Sequence, residues 1–394
     1  MFKTILGLSL ATLAISSQSA LASNFVPTVL QTGLQSPRGM TFGPDGKLYL
    51  TEAGTGGNGA CVPSPSAPGQ TLCYGATSSL ARLDLQSNTL ERITTGLPSL
   101  ALADGGDATG LQDVSFDANG NLYGVIGFAS NPSNRDTVIE VQDFAHLIKI
   151  DLSNPSQWSL VTDIAQYEID NNPDGGDVVS NPFSVAVQGN NIYATDGGGN
   201  ALYTINNDGT ISTVTVVPKR DVSNPIPGLP DPFPMQAVPT GIAIGPDQAV
   251  YLSEYTGFPF PPGGANIYRY NQGNLDIYAS GFTNIIDIAF APDNSLYVLE
   301  YATDTLGGNS QGNLWKVKPD GTKENVYNQD LINPTGLAIS PDGKIYIANK
   351  GYIAGEGELI QLQSVPEKQT PLGVLLTTSL CVFLLKKQNK QINP

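Results

Sequence analysis

One motif recurs six times along this chain, and a repeat of that kind restricts the fold more than any other feature of the sequence. Pro37 begins PRGMTFGPDGKLYLTE, Leu111 begins LQDVSFDANGNLYGVI, and Pro182 begins PFSVAVQGNNIYATD. Pro239 begins PTGIAIGPDQAVYLSE, Ile285 begins IIDIAFAPDNSLYVLE, and Pro334 begins PTGLAISPDGKIYIAN. Each copy reads as a short apolar strand, a tight turn and a second strand. In the turns Pro presets φ, and Asp or Asn before Gly tolerates positive φ. Every second strand carries one tyrosine: Tyr49, Tyr123, Tyr193, Tyr251, Tyr297 and Tyr346.

A third strand follows each copy (SLARLDL, HLIKIDL, ALYTINN, NIYRYNQ, NLWKVKP, ELIQLQS), and a fourth follows five of them, as in LERITTGL, SLVTDIAQY and LDIYASGF. Four strands in each of six units predict an all-β, six-bladed β-propeller. The sixth unit lacks its fourth strand, and FVPTVLQTGL from Phe25 has the missing pattern. The N-terminal strand is therefore expected to complete the last blade and close the ring, which removes a free sheet edge. The propeller is assigned to residues 23–364.

The flanks read differently. Residues 1–22 have a basic start at Lys3, an apolar run from Ile5 to Ile15 and a small-x-small site at Ala20-Leu21-Ala22, the pattern of a secretory signal peptide. Residues 365–394 open with Val365-Pro366-Glu367, continue through an apolar run from Leu372 to Leu385, and end with Lys386, Lys387 and Lys390. An apolar stretch followed by basic residues is a stop-transfer arrangement, although the run is shorter than the roughly 20 residues of a full transmembrane span. The expected location is the periplasm or cell surface, with contact to the membrane through the C-terminal tail only.

The chain carries a net charge of −16, which argues against nucleic acid as a partner because that needs a basic surface. Cys61 and Cys73 flank a Pro/Ser/Gly-rich insert and are expected to pair in an oxidising compartment, whereas Cys381 lies in the apolar tail.

Two sets of acidic positions are candidates for chemistry. The end of the second strand holds Glu52, Asp196, Glu254, Glu300 and Asn349, with Ile126 in the remaining copy. Such oxygen ligands suit Ca²⁺, but the favoured reading is that each hydrogen-bonds the turn into the third strand and satisfies backbone N–H groups of its own blade. Near the start of the innermost strand most copies have a small residue, whereas the second and fifth have Asp113 and Asp287. These two are expected to face each other across the ring, as metal or substrate ligands or as simple loop caps. A DGGD core also recurs, at 104–107 and 174–177, ahead of two first strands. There is no P-loop, Rossmann fingerprint, HExxH or G-x-S-x-G. The single histidine, His146, stands at the start of a third strand, where it packs or faces solvent and is badly placed as a general base.

The repeats, PTGLAISPDGKIYIANKG above all, resemble NHL-type propeller repeats. QSPRGMTFGPDGKLYLTEAG, the cysteine-flanked insert, GLQDVSF, NPFSVAV and YATDGGGNAL together resemble the ScyD/ScyE family of cyanobacterial exported proteins. That resemblance implies an association with scytonemin, an indole-phenol sunscreen pigment, and carries over no catalytic residues. The tail VPEKQTPLGVLLTTSLCVFLLKKQNK is similar to a PEP-CTERM sorting signal, with Lys368 where the usual motif has a second proline. Two functional expectations follow. The favoured one is a non-catalytic binding or scaffold propeller whose partner is a small-molecule ligand, a polysaccharide or an envelope protein. Aromatic side chains such as Tyr255, Phe258 and Phe260 would then stack on a flat ligand or simply anchor their loops. The alternative is a lactonase-type hydrolase in which channel carboxylates hold Ca²⁺.

Overall fold

The computed structural model describes residues 25–364; residues 1–22, read above as a signal peptide, and the tail with Val365, Pro366, Glu367 and Cys381 lie outside the described residues. Within 25–364, no helix is long and apolar enough to cross a membrane.

Six antiparallel sheets follow one another as blades. Blade one comprises Pro37–Phe42, Leu48–Glu52, Thr71–Asp84 and Thr89–Ala101, with the short strand Cys61–Pro63 added beside Thr71–Asp84. Blades two to five repeat the four-strand order from Leu111, Pro182, Pro239 and Ile285. Blade six has only three strands in sequence, Gly336–Ile339, Ile345–Asn349 and Gly357–Ser364. Its fourth is Phe25–Leu34, antiparallel to Gly357–Ser364 with Phe25 opposite Ser364 and Leu34 opposite Gly357. The ring is closed as the repeat arithmetic requires.

The side-chain period of a strand explains the recurrent tyrosine. Successive residues point to opposite faces of a sheet, so a residue fixed in the repeat always meets the same neighbour. Tyr49 packs edge-on against Phe116 of the next blade, Tyr251 against Phe290, and Tyr346 against Phe42 across the closure. Tyr123, Tyr193 and Tyr297 occupy the corresponding positions in the other three apolar clusters between blades. The core is thus a ring of six interfaces rather than one central mass.

One expectation needs correction. SLVTDIAQY was read as a fourth strand, but the strand Trp158–Asp163 stops halfway and Ile164–Asn171 is an α-helix. Asp163 causes the switch: its carboxylate accepts the amide of Gln166 and caps the helix N-terminus.

Candidate functional site

A polar side chain or carboxylate latches each pair of neighbouring blades close to the axis. Thr51 Oγ1 donates to the carbonyl of Gln112, joining blades one and two. Thr195 and Thr240 donate to the carbonyls of Thr240 and Ile285, and Thr335 donates to Pro37 across the closure. The remaining two junctions are made by Asp113 and Asp287. Asp113 Oδ2 accepts the amide of Val185 (2.9 Å) and the hydroxyl of Ser184 (2.5 Å), so it joins blades two and three. Asp287 Oδ2 accepts the amide of Leu337 at 2.7 Å and joins blades five and six. In each case Oδ1 accepts the next amide of its own strand. A glycine precedes each aspartate around the ring, because a Cβ on Gly39 or Gly241 would collide with the Asp113 or Asp287 residue beside it.

The pair does face the channel, half-buried, and the two carboxyls sense each other. Burial pushes Asp113 up to about 6, while the bonds from Ser184, Val185 and Val114 act the other way. Asp287 is pushed well above the carboxylate range by burial, reinforced by the charge of Asp113.

The second-strand acids do not converge on the axis; each is buried in its own blade. Glu52 accepts the amide of Gln35, the hydroxyl of Ser79 and a two-pronged contact from Arg92 at 2.6 and 2.8 Å. Asp196 accepts the amides of Asn181, Gly198 and Gly199 and the Ser180 hydroxyl. Glu254 is gripped by Arg220 and bonded by Asn266 and Tyr268. Glu300 accepts from Thr283 and Asn313, and Asn349 accepts the amide of Ile332. The expectation that they cap the turn into the third strand is corrected: four of them, all but Glu254, take a backbone N–H from the connection that leads into their own first strand, and only Asp196 and Glu254 take one at the entry to the third. A cation would have to displace these donors. Among the described residues no three His, Cys, Asp or Glu side chains are grouped to hold a metal ion, so the donor set does not fit a calcium centre.

His146 is buried, its Nδ1 at 3.1 Å from the carbonyl of Phe144 and its Nε2 at 3.7 Å from Asp163. Burial pushes its pKa down. The solvent-facing reading of this residue is therefore corrected: it packs inside blade two.

The axial channel has two chambers. The lower one, about 380 Å³, is walled by innermost-strand residues such as Val185, Ile242, Ile288 and Leu337. A tight neck lined by Arg38, Gln112, Asp113, Phe183, Ile286 and Asp287 separates it from the mouth. The mouth, about 400 Å³, lies where the first strands begin and has aromatic walls: Phe183, Tyr255, Phe260, Tyr301 and Tyr352. Tyr255 meets Phe260 edge-on and Tyr301 at a tilt, with centroids 6.2 and 5.7 Å away. Burial pushes the Tyr255 phenol up to about 12 and raises that of Tyr301, so both stay protonated at neutral pH. Phe258 serves instead as an anchor, packed between Phe233 and Phe260. Away from the axis, a further hollow of about 580 Å³ lies along the edge of blade two around Lys149 and Trp158.

The insert of blade one reaches over this mouth. Cys61 and Cys73 are cross-strand partners joined by a disulfide, with Cα atoms 4.1 Å apart. Between them Ser64 and Ser66 donate to Asp107 Oδ2, the last residue of the first DGGD loop. In both DGGD loops the leading aspartate, Asp104 or Asp174, accepts the amide of the glycine two residues on, which shapes a turn. Reduction of the disulfide, a cross-link worth about 3 kcal/mol for a loop of this size, is expected to free the clasp on Asp107. Limited proteolysis within 61–73 should follow only in reductant, and a segment equally resistant with and without reductant would show that the serine contacts alone hold it.

Arg38, Gln112, Phe183 and Tyr301 were not singled out from sequence. Arg38 and Gln112 hide inside the repeat itself, at positions where the other copies have residues such as Phe183, Thr240, Ile286 and Thr335, so their departure from the pattern was the available signal.

No protein-family model and no curated protein matches the sequence. Solved structures do. An aldose sugar dehydrogenase from Streptomyces coelicolor, determined with PQQ bound, aligns with 87% of this chain and 99% of its own at 14% identity and a TM-score of 0.51. A gluconolactonase from Xanthomonas campestris aligns with 86% of this chain and 89% of its own, at 11% identity and 0.52. Regucalcin from Agrobacterium tumefaciens, a calcium-binding protein, aligns with 86% and 94%, at 10% identity and 0.51. At these identities the likeness is one of fold.

Proposed function

We propose that this chain is an exported, non-catalytic propeller of the cell envelope that binds a small molecule at its axial mouth and serves scytonemin production. The observation that carries the binding reading is the mouth itself, an aromatic chamber of about 400 Å³ with a buried arginine at its floor. Sites for small molecules are typically concave, mostly apolar and supplied with a few placed polar groups. The reading as a binder rather than a catalyst is supported by the commitments of the acids: Asp113 and Asp287 latch blades, and the second-strand acids stitch turns. The sole histidine is buried away from the axis. The lactonase alternative needs a metal ligand set that these residues do not form. Export is supported by the signal-like residues 1–22 and by the disulfide, which suits an oxidising compartment. The link to the pigment rests on the resemblance of the quoted motifs. A polysaccharide or another envelope protein is proposed as a further partner.

The test is a fluorescence titration of the purified protein with planar aromatic compounds. Tyr301→Ala and Phe260→Ala are each expected to weaken binding about two- to tenfold, the equivalent of one lost aromatic contact of about 0.5–1.5 kcal/mol, with little change in melting temperature. Unchanged affinity in both variants would remove the mouth from consideration.

A further inference from the structure

Two buried groups at the neck keep hydrogen-bonding capacity that the protein does not use. Arg38 is only 9% exposed, and its Nη atoms donate to the carbonyls of Pro37, Gly351 and Ala108. All three acceptors are neutral, no described carboxylate stands within ion-pair distance, and Nε–H has no acceptor among the described residues. Burial works against the charged form, opposed by Tyr301 and, to a lesser degree, by Asp107. Gln112, 4% exposed, donates through Nε2 to Thr109 Oγ1 at 2.9 Å, but its Oε1 is buried with no donor. Both side chains line the neck and the floor of the mouth. A buried guanidinium without an anion and a buried amide oxygen without a donor are each costly, and a ligand that supplies both partners recovers that cost.

Resting on the reading of the mouth as a ligand site, we propose that it takes an aromatic carboxylate bearing an O–H or N–H beside the acid group, an aryl α-hydroxy or α-amino acid. The carboxylate faces the Arg38 guanidinium, whose weak hydration and planar donors suit it to a desolvated anion. The adjacent O–H or N–H donates to Gln112 Oε1. The ring lies among Tyr255, Phe260 and Tyr301, where edge and face contacts favour an aromatic over a saturated ring. Asp107 is the one carboxylate among the described residues of the mouth; it is turned through Oδ2 to Ser64 and Ser66, and its charge at the rim selects against a second negative charge on the ligand.

The test is calorimetric titration of the intact protein with mandelate, phenylglycine, phenylacetate, mandelamide and hexahydromandelate. Mandelate or phenylglycine is expected to bind best, and the tighter of the two identifies the hydroxy or amino form. Phenylacetate, which lacks the donor, and mandelamide, which lacks the charge, should each bind about ten- to a hundredfold more weakly. Arg38→Met should erase the preference for mandelate over mandelamide, and Gln112→Met the preference for mandelate over phenylacetate. Should Arg38→Met fail to fold, the ligand series on the unaltered protein decides alone. Equal affinity for mandelate, mandelamide and phenylacetate would overturn the acid assignment and leave an aromatic mouth standing. No binding by any of the aromatic compounds would overturn both.

Discussion

A chain that begins at Gln35 is expected to lose its cooperative melt and to associate through blade six. Among the described residues, Phe25–Leu34 is the only partner of the outer edge of Gly357–Ser364. Its last residue, Leu34, is wholly buried in the cluster between blades six and one, with Met40, Leu48, Tyr346 and Leu359. Truncating that leucine alone to alanine would cost about 2–5 kcal/mol. Losing the whole strand removes a ladder of hydrogen bonds as well, against a total stability of about 5–15 kcal/mol for a typical domain. The bare edge is then a template for pairing with another chain. Circular dichroism melts and light scattering of the truncated protein check this, and a synthetic peptide of residues 23–34 added in trans should restore part of the transition. A truncated protein that melts within a few degrees of the intact one would mean that the first strand decorates the ring and does not close it.

Glu168→Gln is expected to stabilise the protein above neutral pH and to flatten its pH dependence. Glu168 sits on the helix Ile164–Asn171 and is wholly buried. Tyr203 donates to its Oε2 at 3.2 Å, while Oε1 has no partner. Burial pushes its pKa up from 4.5 to about 7, and the charges of Asp196 and Asp174 push the same way. The folded state therefore holds a proton that the unfolded chain releases. The resulting stability is fully present below about pH 4.5 and is lost as pH rises through 7, a change of at most about 3 kcal/mol from this one group. Asp113 and Asp287, both raised, add the same sign. Melts at pH 5 and pH 8 should show the wild type losing several degrees at the higher pH and the variant losing less. A wild type more stable at pH 8 would mean that Glu168 ionises without cost, through a donor that satisfies Oε1.

The ring was legible because its determinants are periodic. A tyrosine that must meet the next blade recurs in all six copies, and the missing fourth strand of the last unit pointed directly to Phe25–Leu34. The break at Asp163 was not legible, because IAQY follows SLVTD without a Gly or Pro break, and only the capping bond to Gln166 marks the helix start. The acids show the limit more sharply. Asp113 and Asp287 were visible as departures from a small-residue position, and their opposition across the ring followed from copy number. Their use as blade latches was not, since it depends on amides of Val185 and Leu337 that lie 72 and 50 residues further along the chain. The mouth was least legible of all. Its walls come from many separate connections, and Arg38 matters because of carbonyls at Ala108, 70 residues on, and at Gly351, which ring closure brings to it.

The most direct test of the central claim, that the axial mouth is the ligand site, is a crystal of the protein soaked with a mixed set of small aromatic compounds. The account predicts density between Tyr255, Phe260 and Tyr301, with a polar end directed at Arg38 and Gln112. Density only in the lower chamber or along the groove beside Trp158, with the mouth holding nothing but solvent, would contradict it.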